Sequence, residues 1–88
     1  MELELTARTV FVSGSHRGTG RTIANHFKAE GARVIVHGPD KASLLPLQAD
    51  FPLGVTGALW TDEGCQAVIA QIQQHTQTLD VLVNNYGT

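Results

Sequence analysis

Apolar residues along this chain come in short blocks separated by amphipathic stretches, and the alternation repeats four times. Thr9-Val10-Phe11-Val12 is β-branched and aromatic with no charge inside it, the pattern of a strand buried on both faces. Arg33 to His37 (RVIVH) predicts a second such strand, Val55 to Trp60 a third, weakened by Gly57, and Val81-Leu82-Val83 a fourth. Between them, Arg21 to Glu30 reads as a helix, with Ile23, Ala24 and Phe27 on one face and Gly31 as its stop. Lys41 to Leu45 predicts a short helix that Pro46 limits. The third helix is capped by Thr61 or Asp62. Its residues Cys65, Val68, Ile69 and Ile72 recur at i, i+3, i+4 and i+7, with Gln66, Gln73 and Gln74 opposite.

The resulting order, β-α-β-α-β-α-β, implies an α/β fold: a parallel sheet with helices on both faces, three layers deep. Right-handed crossovers leave few ways to arrange it. The glycines that follow the first strand favour the Rossmann-type doubly wound order over the flavodoxin-like one. At 88 residues the chain holds one domain at most.

Composition narrows the partners. Charged residues are 16% of the chain and the net charge is −2, with no basic run. Neither nucleic acid nor an anionic membrane is expected as a main partner. The lone Cys65 excludes an internal disulfide and a multi-thiolate zinc site, and its apolar neighbours predict a small buried hydrophobe. No cluster of metal ligands is expected. The opening MELEL has two glutamates and no long apolar core, so no signal peptide is expected, and no apolar run approaches the ~20 residues of a bilayer span. A cytoplasmic protein is the expectation.

The candidate chemistry lies in VSGSHRGTG, where Gly14, Gly18 and Gly20 fall within seven residues, between the first strand and the first helix. In open parallel sheets ligands sit beyond the carboxyl ends of the strands, where this loop lies. A helix N-terminus offers free N–H groups and partial positive charge, and glycine lets an anion approach them. The spacing Gly-x-x-x-Gly-x-Gly is neither the common G-x-G-x-x-G nor a P-loop, since Ile23 stands where a third glycine would be and Gly-Lys-Ser/Thr is missing. The alternatives are a pyrophosphate cradle and a plain strand-to-helix turn.

The run SGSHRGTG, followed by RTIANHFKAEGARVIV and later by LDVLVNNYG, resembles the short-chain dehydrogenases/reductases. Members typically carry T-G-x-x-x-G-I-G, a helix ending in E/A-G-A, a VIV-type strand and N-N-A-G. The resemblance runs through essentially the whole chain. It implies that Gly14, Ser15, His16, Arg17, Gly18, Thr19 and Gly20 form the cofactor loop. It also places Asn84-Asn85-Tyr86-Gly87 at N-N-A-G, so that Asn85, Tyr86 and Gly87 stand beside the nucleotide.

The resemblance also bears on which nucleotide. Arg17 offers a forked, permanently charged donor, and in the family a basic residue here commonly marks NADP(H). The family's acid at the end of the second strand, which receives the ribose hydroxyls of NAD(H), falls on Gly38, and its alternative arginine on Pro39. With no carboxylate there to repel a 2′-phosphate, NADP(H) is expected over NAD(H). Lys41 and His37 are weaker candidates for phosphate contact, and Asp40 reads as a turn or cap residue. Leu59 and Trp60 occupy the place of the family's adenine-contacting Asp, and Tyr86 replaces a small alanine. These two departures leave open a modified or a blocked site.

The family's catalytic Asn, Ser and Tyr-x-x-x-Lys all lie beyond N-N-A-G, so no residue here is assigned a catalytic role. An apolar fourth strand with no charge or proline guarding its edge implies further strands beside it. Residues 1–88 are therefore expected to be the front part of a one-domain enzyme of roughly 250 residues. The resemblance implies a small-molecule carbonyl or alcohol substrate, and a homotetramer or homodimer for the intact protein. The alternatives are a non-catalytic nucleotide-binding relative, regulatory or scaffolding, and, less favoured by Gly38, a methyltransferase.

Overall fold

A computed structural model describes residues 8–16 and 18–84. Its elements are β1 (Thr9–Val12), α1 (Gly18–Ala29), β2 (Arg33–Gly38), α2 (Lys41–Leu44), a 3-10 turn (Leu45–Leu47), β3 (Leu53–Thr56), α3 (Asp62–His75) and β4 (Val81–Val83). All strand pairs are parallel, in the order β3-β2-β1-β4. That is the Rossmann order; the flavodoxin-like order would put β3 beside β1.

The strands divide their side chains by period two. Val10 and Val12 of β1, with Val34 and Val36 of β2, face one side, where Ala24 of α1, Leu44, Leu47 and Phe51 complete a core cluster. Phe11 and Ile35 face the other, packing with Val55 and with Val68 of α3. Two cores back to back explain why β1 and β2 are unbroken apolar runs. They also make the molecule three-layered, with α1 and α2 on one face and α3 on the other.

Helix ends follow local chemistry. Helix α1 closes in a Schellman arrangement, in which Ala32 N–H donates to Phe27 O at 3.1 Å and Gly31 N–H to Lys28 O at 3.0 Å, with Gly31 at φ 88°. Asp40 caps α2 by accepting from Ser43 N–H at 2.9 Å, as the turn-or-cap reading expects, and Pro46 turns the helix into 3-10 geometry. Thr61 caps α3 through Gly64 N–H at 3.0 Å.

Four expectations need correction. Helix α1 begins at Gly18, not Arg21: glycine has poor intrinsic helix propensity, but docking of the buried Gly20 and Ala24 overrides it. Strand β3 is Leu53–Thr56, not Val55 to Trp60, because Leu53 pairs with Ile35 and the ladder ends where Thr56 meets Gly38. Ile69 is not part of the buried stripe; it is 54% exposed, while Val68 is buried and Ile72 partly so. Cys65 is only half-buried, its thiol donating to Leu59 O at 3.3 Å.

Candidate nucleotide site

The reversal of strand order falls between β1 and β4, and the crevice beyond their carboxyl ends is where an open α/β sheet receives a ligand. Ser13 closes the floor of this crevice. Its N–H donates to Val83 O at 3.0 Å and its hydroxyl lies 3.3 Å from the same oxygen and 3.4 Å from Asn84 Oδ1. At the opposite end of the strands, Asp80 receives Thr9 N–H at 2.8 Å and an exposed Arg8 guanidinium at 3.4 Å, holding β4 in register with β1.

The loop from Gly14 leaves the sheet through left-handed backbone. Gly14 has φ 62° and Gly18 φ 61°, conformations that cost a side-chain-bearing residue about 1–2 kcal/mol. Gly18 is exposed, and a Cβ built on it would meet nothing within 4 Å. The glycine is thus required by backbone conformation, and the space beside it stays open. Helix α1 starts here with no acidic side chain in its first turn, and its first N–H groups, which have no partner within the helix, and the positive end of its dipole lie at that space. These features fit a diphosphate. Thr19 is exposed on the same first turn, and Gly20 is buried against the sheet.

Below the loop lies a group whose structural role the residue pattern did not reveal. His37, the fifth residue of β2, is completely buried. Its Nδ1 accepts from Gly14 N–H at 2.9 Å, and its Nε2 lies 2.8 Å from Gly57 O. An amide N–H can only donate and a carbonyl only accept, so Nδ1 is bare and Nε2 carries the proton. The His37 main chain is clasped as well: its N–H donates to Ser15 Oγ at 2.7 Å, and the Ser15 hydroxyl lies 3.4 Å from its carbonyl. Phe11 meets the ring edge-on at a centroid distance of 6.1 Å. Burial holds the imidazole pKa below its ordinary value; the Gly57 carbonyl opposes this, and the neighbouring His16 adds to it. His37 is therefore not a surface contact for phosphate. The available signal was its position closing a buried apolar run, where a polar side chain must find partners.

The remaining candidates sort clearly. Ser15 is fully buried, with its hydroxyl turned toward β2. His16 is half-buried at the rim, and its Nδ1 is buried without a partner among the described residues. Gly38 lies under α2; a Cβ there would stand 3.1 Å from Ser43 Cβ, so the absent carboxylate reflects packing as well as chemistry. Pro39 is half-buried and Lys41 exposed. The Asp40 carboxyl sits below its ordinary range because Ser43 donates to it from backbone and side chain. Leu59 is partly buried against the core of Phe11, Ile35, Val55 and Val68, whereas Trp60 is 66% exposed. Arg17, Asn85, Tyr86 and Gly87 lie outside the described residues. Among the described residues no cluster could hold a metal ion, and no helix is long and apolar enough to cross a membrane.

A family profile described as short chain dehydrogenase matches residues 8–88. Glucose 1-dehydrogenase 2 of Bacillus subtilis is 33% identical over 94 residues, covering 99% of this chain and 36% of that enzyme. The 3-oxoacyl-[acyl-carrier-protein] reductase of Aquifex aeolicus is 31% identical, covering 99% of this chain and 38% of its own length. Among solved structures, L-sorbose reductase from Gluconobacter frateurii complexed with NADPH and L-sorbose superposes with a TM-score of 0.88 at 29% identity, over all of this chain and 36% of that one. The RhlG/NADP complex from Pseudomonas aeruginosa gives 0.83 at 29% identity, over 97% and 36%. The chain thus spans little more than a third of these relatives.

Proposed function

As this chain belongs to the short-chain dehydrogenase family, we propose that the protein is an NADP(H)-dependent oxidoreductase interconverting a small-molecule carbonyl and alcohol. Residues 1–88 are then the cofactor-binding front part of a single-domain enzyme. The observation that carries this reading is the open space beside Gly18: left-handed backbone at a helix start with no acidic residue in its first turn, where an added Cβ would meet nothing within 4 Å, at the strand-order reversal. The NADP(H) complexes of two structural relatives support the choice of nucleotide class.

When bound, the nicotinamide supplies or accepts the hydride. The residues of this chain bind and orient. Gly14 to Gly20 receive the diphosphate at the start of α1. Arg17 and the carboxylate-free edge at Gly38 and Pro39 favour a 2′-phosphate. Leu59 and Trp60 flank the adenine, and Asn85, Tyr86 and Gly87 line the ribose side. No residue of this segment carries the proton transfer.

Gly18→Val and Arg17→Ala test the reading. Gly18→Val places a branched side chain in the open space and should abolish binding of NADPH and NADH alike, measured by cofactor fluorescence. Arg17→Ala should weaken NADPH by about 1.5–3 kcal/mol while sparing NADH, the range for hydrogen bonds to charged groups. Unchanged NADPH binding in Gly18→Val would refute the site, and equal losses for both cofactors in Arg17→Ala would refute the selectivity.

A further inference from the structure

We propose that His37 is a positioning residue for the nucleotide loop, and that its neutral imidazole sets the first turn of that loop, so that cofactor affinity falls when the ring is protonated. The inference rests on the nucleotide-binding reading above and extends it to regulation by proton concentration.

The geometry makes one ring a joint between two loops. Gly14, where the chain leaves β1 in left-handed conformation, is held by Nδ1, and Gly57, just past β3, is held by Nε2. The ring stands on β2 between them. Gly57 N–H also donates to Gly38 O at 3.2 Å, so the loop after β3 is tied to β2 at two points. The segments bearing Gly14 to Gly20 on one side and Leu59 and Trp60 on the other are thus spaced by a single side chain. The N–H of Gly14 is spent on this tie and is not offered to a ligand; what the tie supplies is the direction in which the backbone after it runs.

Protonation cannot leave this arrangement intact. An imidazolium donates from both nitrogens, and at Nδ1 the new N–H would face the N–H of Gly14 with no acceptor between them. The bond becomes a repulsion inside a fully buried site. Either the ring or the Gly14 turn must move, and each shifts the start of the loop. Among the described residues, His16 on the glycine loop is a titratable group facing His37, and a charge there opposes a second one on His37. Phe11 from β1 and the Gly57 segment from β3 bring no charge to the ring. Asp40, on the turn after β2, interacts with His16. Burial delays the protonation but does not supply an acceptor for it.

The test uses the intact protein with NADPH and NADH as separate probes. The 2′-phosphate of NADPH itself titrates in this range, so a pH dependence shared with NADH belongs to the protein. Both dissociation constants should rise as pH falls below about 6.5 and through the folded-state titration of His37, by about tenfold once the ring is protonated, the loss expected when one buried hydrogen bond is broken. In His37→Gln, which has no titrating ring, the NADH profile should be flat. Imidazole nitrogen NMR on the unliganded protein should show His37 with bare Nδ1 at neutral pH, and the Gly14 amide should shift as that nitrogen is protonated. A pH-independent NADH constant in the unmodified protein, or the same slope in His37→Gln, would overturn the positioning role. If His37→Gln does not fold, the Gly14 amide decides: an amide that ignores the His37 titration overturns it equally. Failure of both cofactors to bind at any pH refutes the nucleotide reading instead, a result the NMR titration distinguishes because it requires no cofactor.

Discussion

Glycines at two places in this chain act through different physics, and substitution separates them. At Gly64 the first turn of α3 lies so close to the loop after β3 that an added methyl group would run into the Ala58 backbone. Gly57 faces it under the same constraint, its virtual Cβ 2.7 Å from Val68 Cγ2. Gly18 has open space and only a left-handed φ. Gly64→Ala should therefore cost about 3 kcal/mol, the upper range for forcing atoms into packed structure. Gly18→Ala should cost about 1 kcal/mol, the conformational penalty alone. Urea unfolding of the two variants measures the difference; equal losses would contradict the packing at α3. The residue pattern singled out Gly14, Gly18 and Gly20 because their spacing is a motif. It gave no sign of Gly64, whose partner Ala58 is local in sequence but is brought into contact only by the angle at which α3 docks.

At the scale of elements, the edge strand β3 is finished by a helix. Gln71 of α3 accepts from Thr56 N–H at 3.0 Å and donates to Thr56 O at 2.7 Å, standing in for a neighbouring strand. Gln71→Ala exposes both groups to water and should destabilise by about 1 kcal/mol. Thr61→Ala removes the cap of the same helix and should cost about 1 kcal/mol. Thermal unfolding reads both, and a neutral Gln71→Ala would show that the side chain does not close the strand. Strands β1 and β2 were legible, and the caps were legible as far as Thr61 or Asp62 and a turn or cap at Asp40, because burial on both faces and helix capping leave local residue patterns; the structure selects Thr61 and the cap. The bounds of β3 were not. Leu53-Gly54-Val55-Thr56 has one central glycine, and only pairing with Ile35 to Gly38 selects those four residues over the more apolar run after Val55.

For the whole molecule, the buried histidine links fold to pH. The folded-state pKa of His37 lies below the ordinary 6.5, so on acidification the unfolded chain takes up the proton first. Stability rises with pH wherever the unfolded state binds more protons, so its contribution is intact above about pH 6.5 and is lost as pH falls through the folded value. Unfolding midpoints measured downward from neutral pH should decline from that point, and the decline should shrink in His37→Gln. An unfolding midpoint that stays flat below pH 6.5 would contradict a buried neutral ring. Asp40, also lowered, acts in the same direction at much lower pH, and weakly because it is solvent-exposed.

What the sequence determined by itself is the alternation of strands and helices, the parallel sheet it implies, the glycine loop at the first crossover and the family. All of these follow from residue periodicity and from motifs whose members are close along the chain. Tertiary structure alone decided where β3 begins, that α1 starts inside the glycine loop, and that His37 belongs to the interior as the tie between Gly14 and Gly57. Those outcomes depend on groups about 20 or more residues apart meeting in space. Such meetings are governed by packing and by the need of buried polar atoms for partners, which leave no periodic trace in the order of residues.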